Sequence, residues 1–154
     1  MDNKAEFYQE LLGQTKALIH DESDTIANMA NISALLFERL SSVNWVGFYR
    51  VIEEELVLGP FQGKVACIRI PLGRGVCGTC AATAKVQRIA DVHQFSGHIA
   101  CDASSNAELV LPIVVAGKVI AVLDIDSTAF DRFSEEDEVG IKAIVELFER
   151  SISA

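Results

Sequence analysis

The chain has 154 residues, half of them hydrophobic and 23% charged, which suits a single globular domain over residues 1–154 with a substantial core. Its formal net charge of −9 makes nucleic acid and anionic membranes unfavourable partners, because both would repel the protein. The polar, acidic start lacks the apolar run of a signal peptide, and the longest apolar run is too short to span a bilayer, so we expect a cytoplasmic protein.

Two helices are predicted within about the first 42 residues, from about residue 6 to 20 and from about residue 24 to 40. In the second helix the apolar side chains recur at helical spacing and form one stripe, which consists of Ile26, Met29, Ile32, Leu35, Leu36 and Leu40. A stripe of this kind is expected to face the core or a partner helix.

Between residues 44 and 126 the sequence changes to the alternation that is typical of strands. Five segments fit strands, namely residues 44–51, 56–58, 67–71, 108–115 and 118–126. A short break before the second segment and a tight turn at Gly117 predict two hairpins. Residues 73–102 contain four glycines and three of the four cysteines, and they are predicted to form a long irregular loop region.

The last predicted element is a helix over about residues 134–152. Ser134 is a favourable N-cap, and the three acidic residues that follow it suit the positive end of the helix dipole. The order of elements predicts an α+β fold in which the N- and C-terminal helices cover one face of an antiparallel sheet. The cysteine-bearing loop region would then lie on the other face.

Three acidic residues are candidates for acid catalysis. Asp124 and Asp126 share one face at the end of the last predicted strand, and Glu108 begins the strand before it. Carboxyl groups that crowd together raise at least one pKa, so one of them can keep a proton near neutral pH and donate it. The alternative is that the two aspartates begin a solvated loop and that Glu108 lies exposed at the edge of the sheet.

Two aromatic residues in the first predicted strand are candidates for the wall of a pocket. Trp45, Gly47 and Tyr49 lie on the same face of that strand. Glycine within a strand leaves room for the close approach of a ligand, and the aromatic rings would flank that gap. The alternative is ordinary packing of both rings in the core.

The four cysteines, spaced C-x9-C-x2-C-x20-C, permit three kinds of sulfur chemistry. In the reducing cytoplasm, clustered cysteines are more typical of catalysis, redox sensing or metal binding than of structural disulfides. A structural zinc site normally has two Cys-x2-Cys pairs, and this chain has only the pair Cys77 and Cys80. That pair resembles a redox dithiol but lacks the βαβ context of thioredoxin-like proteins. The third alternative is a nucleophile and a resolving thiol that meet in the fold.

Several motifs resemble those of the free methionine-(R)-sulfoxide reductases, a family of single GAF domains. These motifs are NWVGFYR, GRGVCGT, QRIADVHQFSGHIACDASSNAE, VLDIDS and FSEEDE, and they extend the resemblance over nearly the whole chain from about Asp24. The cysteine block is the most specific of them, because most GAF domains bind small ligands as sensors and lack these thiols. The resemblance implies a GAF fold and the reduction of free L-methionine-(R)-sulfoxide to L-methionine.

The resemblance also implies roles for the cysteines. Cys101 corresponds to the nucleophile and Cys67 to the resolving thiol. Cys77 is the third cysteine of the family pattern and an alternative nucleophile. Cys80 departs from the pattern, which does not require a thiol there, and it is a candidate for an alternative resolving or relay thiol.

The remaining site residues follow from the same resemblance. The acidic positions that hold the substrate and polarise its sulfoxide correspond to Glu108, Asp124 and Asp126. Trp45 corresponds to the residue that packs against the methyl group of the substrate, and Tyr49 belongs to the same pocket.

The implied reaction needs no metal ion and no cofactor. Cys101 would attack the sulfoxide and become a sulfenic acid, which Cys67 would convert to a disulfide that a thioredoxin-type reductant reopens. The alternative function is that of a non-catalytic GAF module that senses a small molecule or the redox state, although such a sensor is normally joined to an output domain. The amphipathic terminal helices also make a homodimer an expectation.

Overall fold

The computed structural model describes residues 3–98 and 104–153. Within these residues the elements follow in the order α1 (Lys4–Ile19), α2 (Thr25–Arg39), β1 (Trp45–Ile52), β2 (Glu55–Gly63), β3 (Arg69–Pro71), α3 (Gly75–Thr83), β4 (Gln87–Ile89), β5 (Ala107–Val115), β6 (Lys118–Ser127) and α4 (Glu135–Ser153). A short 3-10 turn, Val92–Gln94, follows β4. Strand β2 extends well beyond its predicted end, because an irregularity in its pairing with β1 accommodates Gly59 and Pro60.

The long helices begin where polar side chains cap them. Asn3 caps α1 and Asp24 caps α2, each by accepting a backbone N–H of the first turn. At the start of α4, Ser134 Oγ accepts the N–H of Asp137 at 3.3 Å, and the Asp137 carboxylate accepts the N–H of Ser134 at 2.8 Å. None of the helices in the described ranges combines the length and the apolar character that crossing a membrane requires.

The strands form one antiparallel sheet in the order β3-β2-β1-β6-β5-β4. Both predicted hairpins are present. Glu53 and Glu54 join β1 to β2, and Ala116 and Gly117 join β5 to β6, with positive φ angles in all four residues. Two-residue turns of this kind match the twist of the strands that they connect. The hairpins meet through β1 and β6, which pair with Trp45 opposite Asp126.

The main hydrophobic core lies on one face of the sheet, beneath α1, α2 and α4. Fully buried side chains come from each layer, including Leu11 of α1, Leu36 of α2, Phe48 of β1 and Phe148 of α4. Burial of each such side chain contributes about 1.5–3 kcal/mol to stability. The predicted α+β fold, with the N- and C-terminal helices on the same face of an antiparallel sheet, is confirmed.

The opposite face carries a helix that the sequence did not predict. The prediction of an irregular loop region is wrong for residues 75–83, which form α3 and pack on this face. It is also wrong for residues 87–89, which form the edge strand β4. A Cβ atom at Gly78 would lie 2.5 Å from the carbonyl oxygen of Pro71, so glycine allows the helix to lie directly against the end of β3. The small residue thus serves close packing here and does not mark a loop.

Candidate active site

The pairing of three neighbouring strands brings the acidic residues together. Glu108 of β5 lies opposite Asp126 of β6, and Asp124 lies opposite Gly47 of β1. Because side chains alternate along a strand, all three carboxyl groups point to the face that carries α3. Glu108 is 7% exposed and Asp124 is 5% exposed, so neither begins a solvated loop.

The carboxyl group of Asp124 lies in an environment that disfavours its charged form. Burial raises its pKa well above the ordinary range, and the charges of Asp126 and Glu108 raise it further. Its Oδ1 atom is buried and has no hydrogen-bond partner within the part of the chain that the structure describes. The cluster therefore holds a proton more tightly than an exposed carboxyl group does, and it presents an oxygen atom with unused hydrogen-bonding capacity.

Helix α3 places a thiol against the carboxyl groups. The Sγ atom of Cys77 donates a hydrogen bond to Oε2 of Glu108 at 3.7 Å. Burial raises the pKa of the Cys77 thiol well above its usual range, and the charges of Asp124, Glu108 and Asp126 act in the same direction. Cys77 is thus held as a neutral thiol, which is a weaker nucleophile than a thiolate.

The aromatic residues of β1 lie beside the acids. The rings of Trp45 and Tyr49 are stacked with their centroids 5.9 Å apart, and the ring of Phe61 in β2 also stacks with Trp45 at 5.2 Å. The space that was expected above Gly47 for a ligand is filled, because a Cβ atom there would lie 2.3 Å from the Cβ of Phe61. Gly47 therefore makes room for Phe61 and Trp45, and the open space lies nearer the acids.

Both β1 aromatics also anchor the segment between β2 and β3. Trp45 Nε1 donates to the carbonyl oxygen of Lys64 at 3.0 Å, and the Tyr49 hydroxyl donates to the carbonyl oxygen of Cys67 at 3.0 Å. Burial raises the pKa of Tyr49, with further increases from Asp124 and Cys77, so its hydroxyl stays a donor. The position of the Cys67 backbone thus depends on residues of β1.

The cysteines differ in state and in access. Cys67 is disulfide-bonded, whereas Cys77 and Cys80 are free thiols. Cys80 is fully buried and donates to the carbonyl oxygen of Val110 at 3.7 Å, and burial, followed by the charge of Glu108, raises its pKa to about 12. These properties favour a packing role for Cys80 over that of a relay thiol. The predicted nucleophile Cys101 lies outside the described residues.

A cleft runs between the acids, the aromatic residues and the start of α3. Its lining also includes eight residues that were not among the predicted site residues, namely Val65, Ala66, Ile70, Arg74, Gly75, Val76, His98 and Ser105. Arg74 precedes α3, whose N-terminus has no side-chain cap, so backbone N–H groups of the first turn are available at the cleft. The glycines of the GRGVCGT motif predict backbone N–H groups that can hold a carboxylate, but the prediction assigned these groups to a loop and not to the N-terminus of a helix.

Among the residues that the structure describes, three of the cleft residues could together bind a metal ion. Donor atoms of Cys77, Glu108 and Asp124 lie within 4.8 Å of one another. A structural zinc site requires four protein ligands, and Cys80 is directed to the carbonyl oxygen of Val110 instead. The geometry therefore does not match the structural zinc site considered from the sequence. What it offers is a buried proton donor beside a thiol and an aromatic wall.

Comparison with known proteins places this arrangement in context. The GAF domain family matches residues 11–152. The chain is 57% identical over 151 residues to the free methionine-R-sulfoxide reductase of Escherichia coli, a match that covers 98% of this chain and 92% of that protein.

Solved structures give the same result. The free methionine-R-sulfoxide reductase of Neisseria meningitidis in complex with its substrate superimposes with a TM-score of 0.94 at 41% identity, covering 99% of this chain and 92% of that one. The substrate complex of fRMsr of Staphylococcus aureus superimposes with a TM-score of 0.91 at 50% identity, covering 94% of this chain and 95% of that one.

Proposed function

The chain belongs to the free methionine-R-sulfoxide reductases of the GAF domain family, and we propose that it reduces free L-methionine-(R)-sulfoxide to L-methionine. The observation that carries this proposal is the cluster of buried Glu108 and Asp124 with half-buried Asp126, which lies beside the Trp45 ring at one cleft. A sulfoxide needs a proton donor for its oxygen and an apolar surface for its methyl group, and this cleft offers both.

The carboxyl cluster supplies the proton. A sulfoxide sulfur is a poor electrophile until its oxygen accepts a proton or a strong hydrogen bond. Asp124 has a raised pKa, so one carboxyl group of the cluster holds a proton at a pH where an exposed aspartate has lost it. The other two acidic side chains, Glu108 and Asp126, can pair with the ammonium group of the substrate.

Cys101 is the proposed nucleophile, on the strength of the sequence motif that contains it. The environment of Cys77 supports this choice, because burial and three neighbouring carboxyl groups oppose formation of its thiolate. The Cys101 thiolate would attack the sulfoxide sulfur, the oxygen would pass to Cys101 as a sulfenic acid, and methionine would leave.

Regeneration would require a second thiol and an external dithiol. Cys67 would condense with the sulfenic acid, forming a disulfide and releasing water. A thioredoxin-type reductant would then reopen the disulfide by exchange, which places the reaction in the cytoplasm, where such dithiols are kept reduced. The disulfide-bonded state of Cys67 supports its role as the resolving thiol.

The cleft also suits a free amino acid. Arg74 and the uncapped N-terminus of α3 can hold a carboxylate, while the acids hold the ammonium group. The ring of Trp45 lies at the cleft and offers an apolar contact for the methyl group on sulfur. A methionine sulfoxide residue within a peptide lacks both terminal charges and is expected to bind poorly.

The test is turnover of free L-methionine-(R)-sulfoxide with dithiothreitol, comparing the wild type with Cys101→Ser and Cys77→Ser. We expect turnover in the wild type and a loss of at least roughly a thousandfold in Cys101→Ser, because nucleophilic catalysis is removed. Cys77→Ser should retain part of the activity, and the S-epimer and a peptide-bound substrate should not react.

Two outcomes would contradict the proposal. Turnover that survives in Cys101→Ser but vanishes in Cys77→Ser would assign the attack to Cys77. A wild type that binds the sulfoxide without reducing it would be a sensor module and not an enzyme. The same purified protein can be examined by sedimentation for the proposed homodimer.

A further inference from the structure

The segment between β2 and β3 exposes two large apolar side chains beside Cys67. Val65 is 90% exposed and Ile68 is 67% exposed. Among the described residues, the other large exposed hydrophobic side chains lie far apart in sequence, including Phe130 at 59% and Val139 at 64%. The segment 64–68 thus concentrates exposed apolar surface around a half-buried, disulfide-bonded cysteine.

The backbone of this segment is held in place at three points. Trp45 and Tyr49 donate to the carbonyl oxygens of Lys64 and Cys67, and the N–H of Leu58 donates to the carbonyl oxygen of Ile68 at 2.8 Å. Two of these donors are buried side chains of the central strand β1. Exposure of Val65 and Ile68 is therefore imposed by an anchored backbone, and large apolar side chains held in water in this way mark a surface that another molecule covers.

We propose that segment 64–68 is the docking surface for a protein dithiol of the thioredoxin type, which reopens the Cys67 disulfide. This inference rests on the proposed function for its partner, but it concerns a surface that extends beyond the substrate cleft, which Val65 and Ala66 line. Ile68 does not line the cleft. An apolar face around the dithiol of the partner would cover Val65 and Ile68.

In the proposed exchange, the partner attacks the disulfide at Cys67. A thiolate of the partner attacks the Cys67 sulfur, a bond forms between the two proteins, and the other sulfur of the Cys67 disulfide leaves as a thiolate. The second thiol of the partner loses its proton, attacks the partner's own sulfur in the mixed disulfide and releases Cys67 as a thiolate. The partner is oxidised by two electrons and this protein is reduced by two. Because the sulfur atoms must come within bonding distance, the residues next to Cys67 are necessarily covered.

Charge favours a particular kind of partner. Lys64 is exposed at one end of the segment, and Arg69, at the other end, is paired with Glu55 at 2.5 Å. A basic group at this place contrasts with the net charge of −9 of the whole chain. An acidic rim around the apolar face of the partner would be attracted here and repelled elsewhere, which raises the rate of productive encounters.

The experiment measures reduction of the disulfide directly and does not require turnover. Oxidised wild type, Ile68→Ser and Val139→Ser are mixed with reduced thioredoxin or with dithiothreitol, and free thiols are trapped and counted over time. Val139→Ser is the matched control, because it removes an equally exposed apolar side chain far from Cys67. We expect Ile68→Ser to lower the second-order rate with thioredoxin roughly three- to tenfold, with no change for dithiothreitol. Ile68→Leu should restore the rate.

Three results would overturn this proposal. They are an unchanged rate with thioredoxin in Ile68→Ser, an equal loss with both reductants, and an equal loss in Val139→Ser. Failure of the proposed function can be told apart from failure of this proposal. If the proposed function is wrong, the protein produces no methionine, but both rates of disulfide reduction can still be measured.

Discussion

At the scale of single residues, the environment of Asp124 disfavours its charged form, and the proposed role of Asp124 as a proton donor depends on that environment. Burial and two neighbouring acids raise its pKa in the folded chain. A carboxyl group with a raised folded-state pKa loses its proton more readily when the chain unfolds, so ionisation favours unfolding. This penalty is absent below the unfolded pKa of about 3.9 and grows as the pH rises above it, until the folded pKa is passed.

Replacing Asp124 with asparagine should therefore stabilise the protein and inactivate it. For Asp124→Asn we expect the free energy of unfolding at pH 7 to rise by on the order of 1–2 kcal/mol and the gain to disappear near pH 3. Turnover should fall by roughly a hundredfold or more, because an amide cannot transfer the proton. Urea denaturation at both pH values, together with the methionine sulfoxide assay, measures these effects.

Glu146→Gln serves as the control for the Asp124 experiment, since it removes an exposed carboxylate from α4 and should change neither quantity appreciably. A loss of stability in Asp124→Asn at pH 7 would show that the carboxylate is ionised and well stabilised in the folded protein. That result would remove Asp124 as the holder of the proton.

At the scale of elements, α3 depends on a contact that only glycine permits. Alanine is the better helix former by about 1 kcal/mol, so propensity alone predicts that Gly78→Ala stabilises the helix. The added Cβ atom would instead lie 2.5 Å from the carbonyl oxygen of Pro71, a backbone atom that cannot move away easily. We expect this steric overlap to outweigh the gain in helix propensity, because relieving it moves α3 away from the end of β3.

We expect Gly78→Ala to lower the free energy of unfolding by about 1–3 kcal/mol and to reduce turnover, because Cys77 moves with the helix. The matched control is Gly13→Ala in α1, where nothing lies within 4 Å of the added Cβ atom. That variant should gain about 0.5–1 kcal/mol with unchanged turnover. Equal stabilisation of the two variants, measured by denaturation, would show that α3 does not depend on close contact with β3.

At the scale of the whole molecule, Asp137 joins the two ends of the chain. Its carboxylate, 2% exposed, accepts hydrogen bonds from Tyr8 at 2.7 Å and Lys4 at 2.8 Å in α1. Burial alone would raise its pKa, but the bonds from Lys4, the Ser134 backbone and Tyr8, with the charge of Arg132, lower the pKa overall. The first helix of the chain is thereby attached to the start of the last.

Asp137→Asn should lower the free energy of unfolding by about 2–4 kcal/mol at pH 7, because an amide replaces poorly the buried carboxylate that pairs with half-buried Lys4 and Arg132. A lowered folded-state pKa stabilises the protein above the unfolded pKa of about 3.9, and this contribution is lost as the pH falls through the folded pKa. The difference between wild type and variant should therefore shrink below about pH 4. Denaturation curves from pH 7 to pH 2.5 measure it.

Tyr8→Phe provides the control for Asp137, since it removes one hydrogen bond to the carboxylate and leaves the ion pairs intact. It should cost only about 1–2 kcal/mol. A difference between wild type and Asp137→Asn that stays constant with pH would contradict the proposed ionised network.

The sequence determined those features that depend on neighbours along the chain. The apolar stripe predicted α2, the cap at Ser134 predicted α4, and the short breaks between strands predicted both hairpins, because helices and tight turns form from local contacts. Alternation in the strand that became β6 likewise determined that Asp124 and Asp126 share a face. The motifs around the cysteines indicated the family before any contact was known.

Only the tertiary structure decided which residues pack against the strand face that carries Asp124 and Asp126. Pairing of β1 with β6 set Trp45 opposite Asp126, and α3 covered the acids with Cys77, although its glycines predicted a loop. Phe61, which fills the space above Gly47, gave no signal in its own segment. The placement of these side chains depends on contacts between residues that lie far apart in sequence. The free energy of those contacts depends on the order of the strands and on how closely the backbones pack. No local pattern contains that information, so the raised pKa of Asp124 and the anchored segment around Cys67 emerge only in the folded chain.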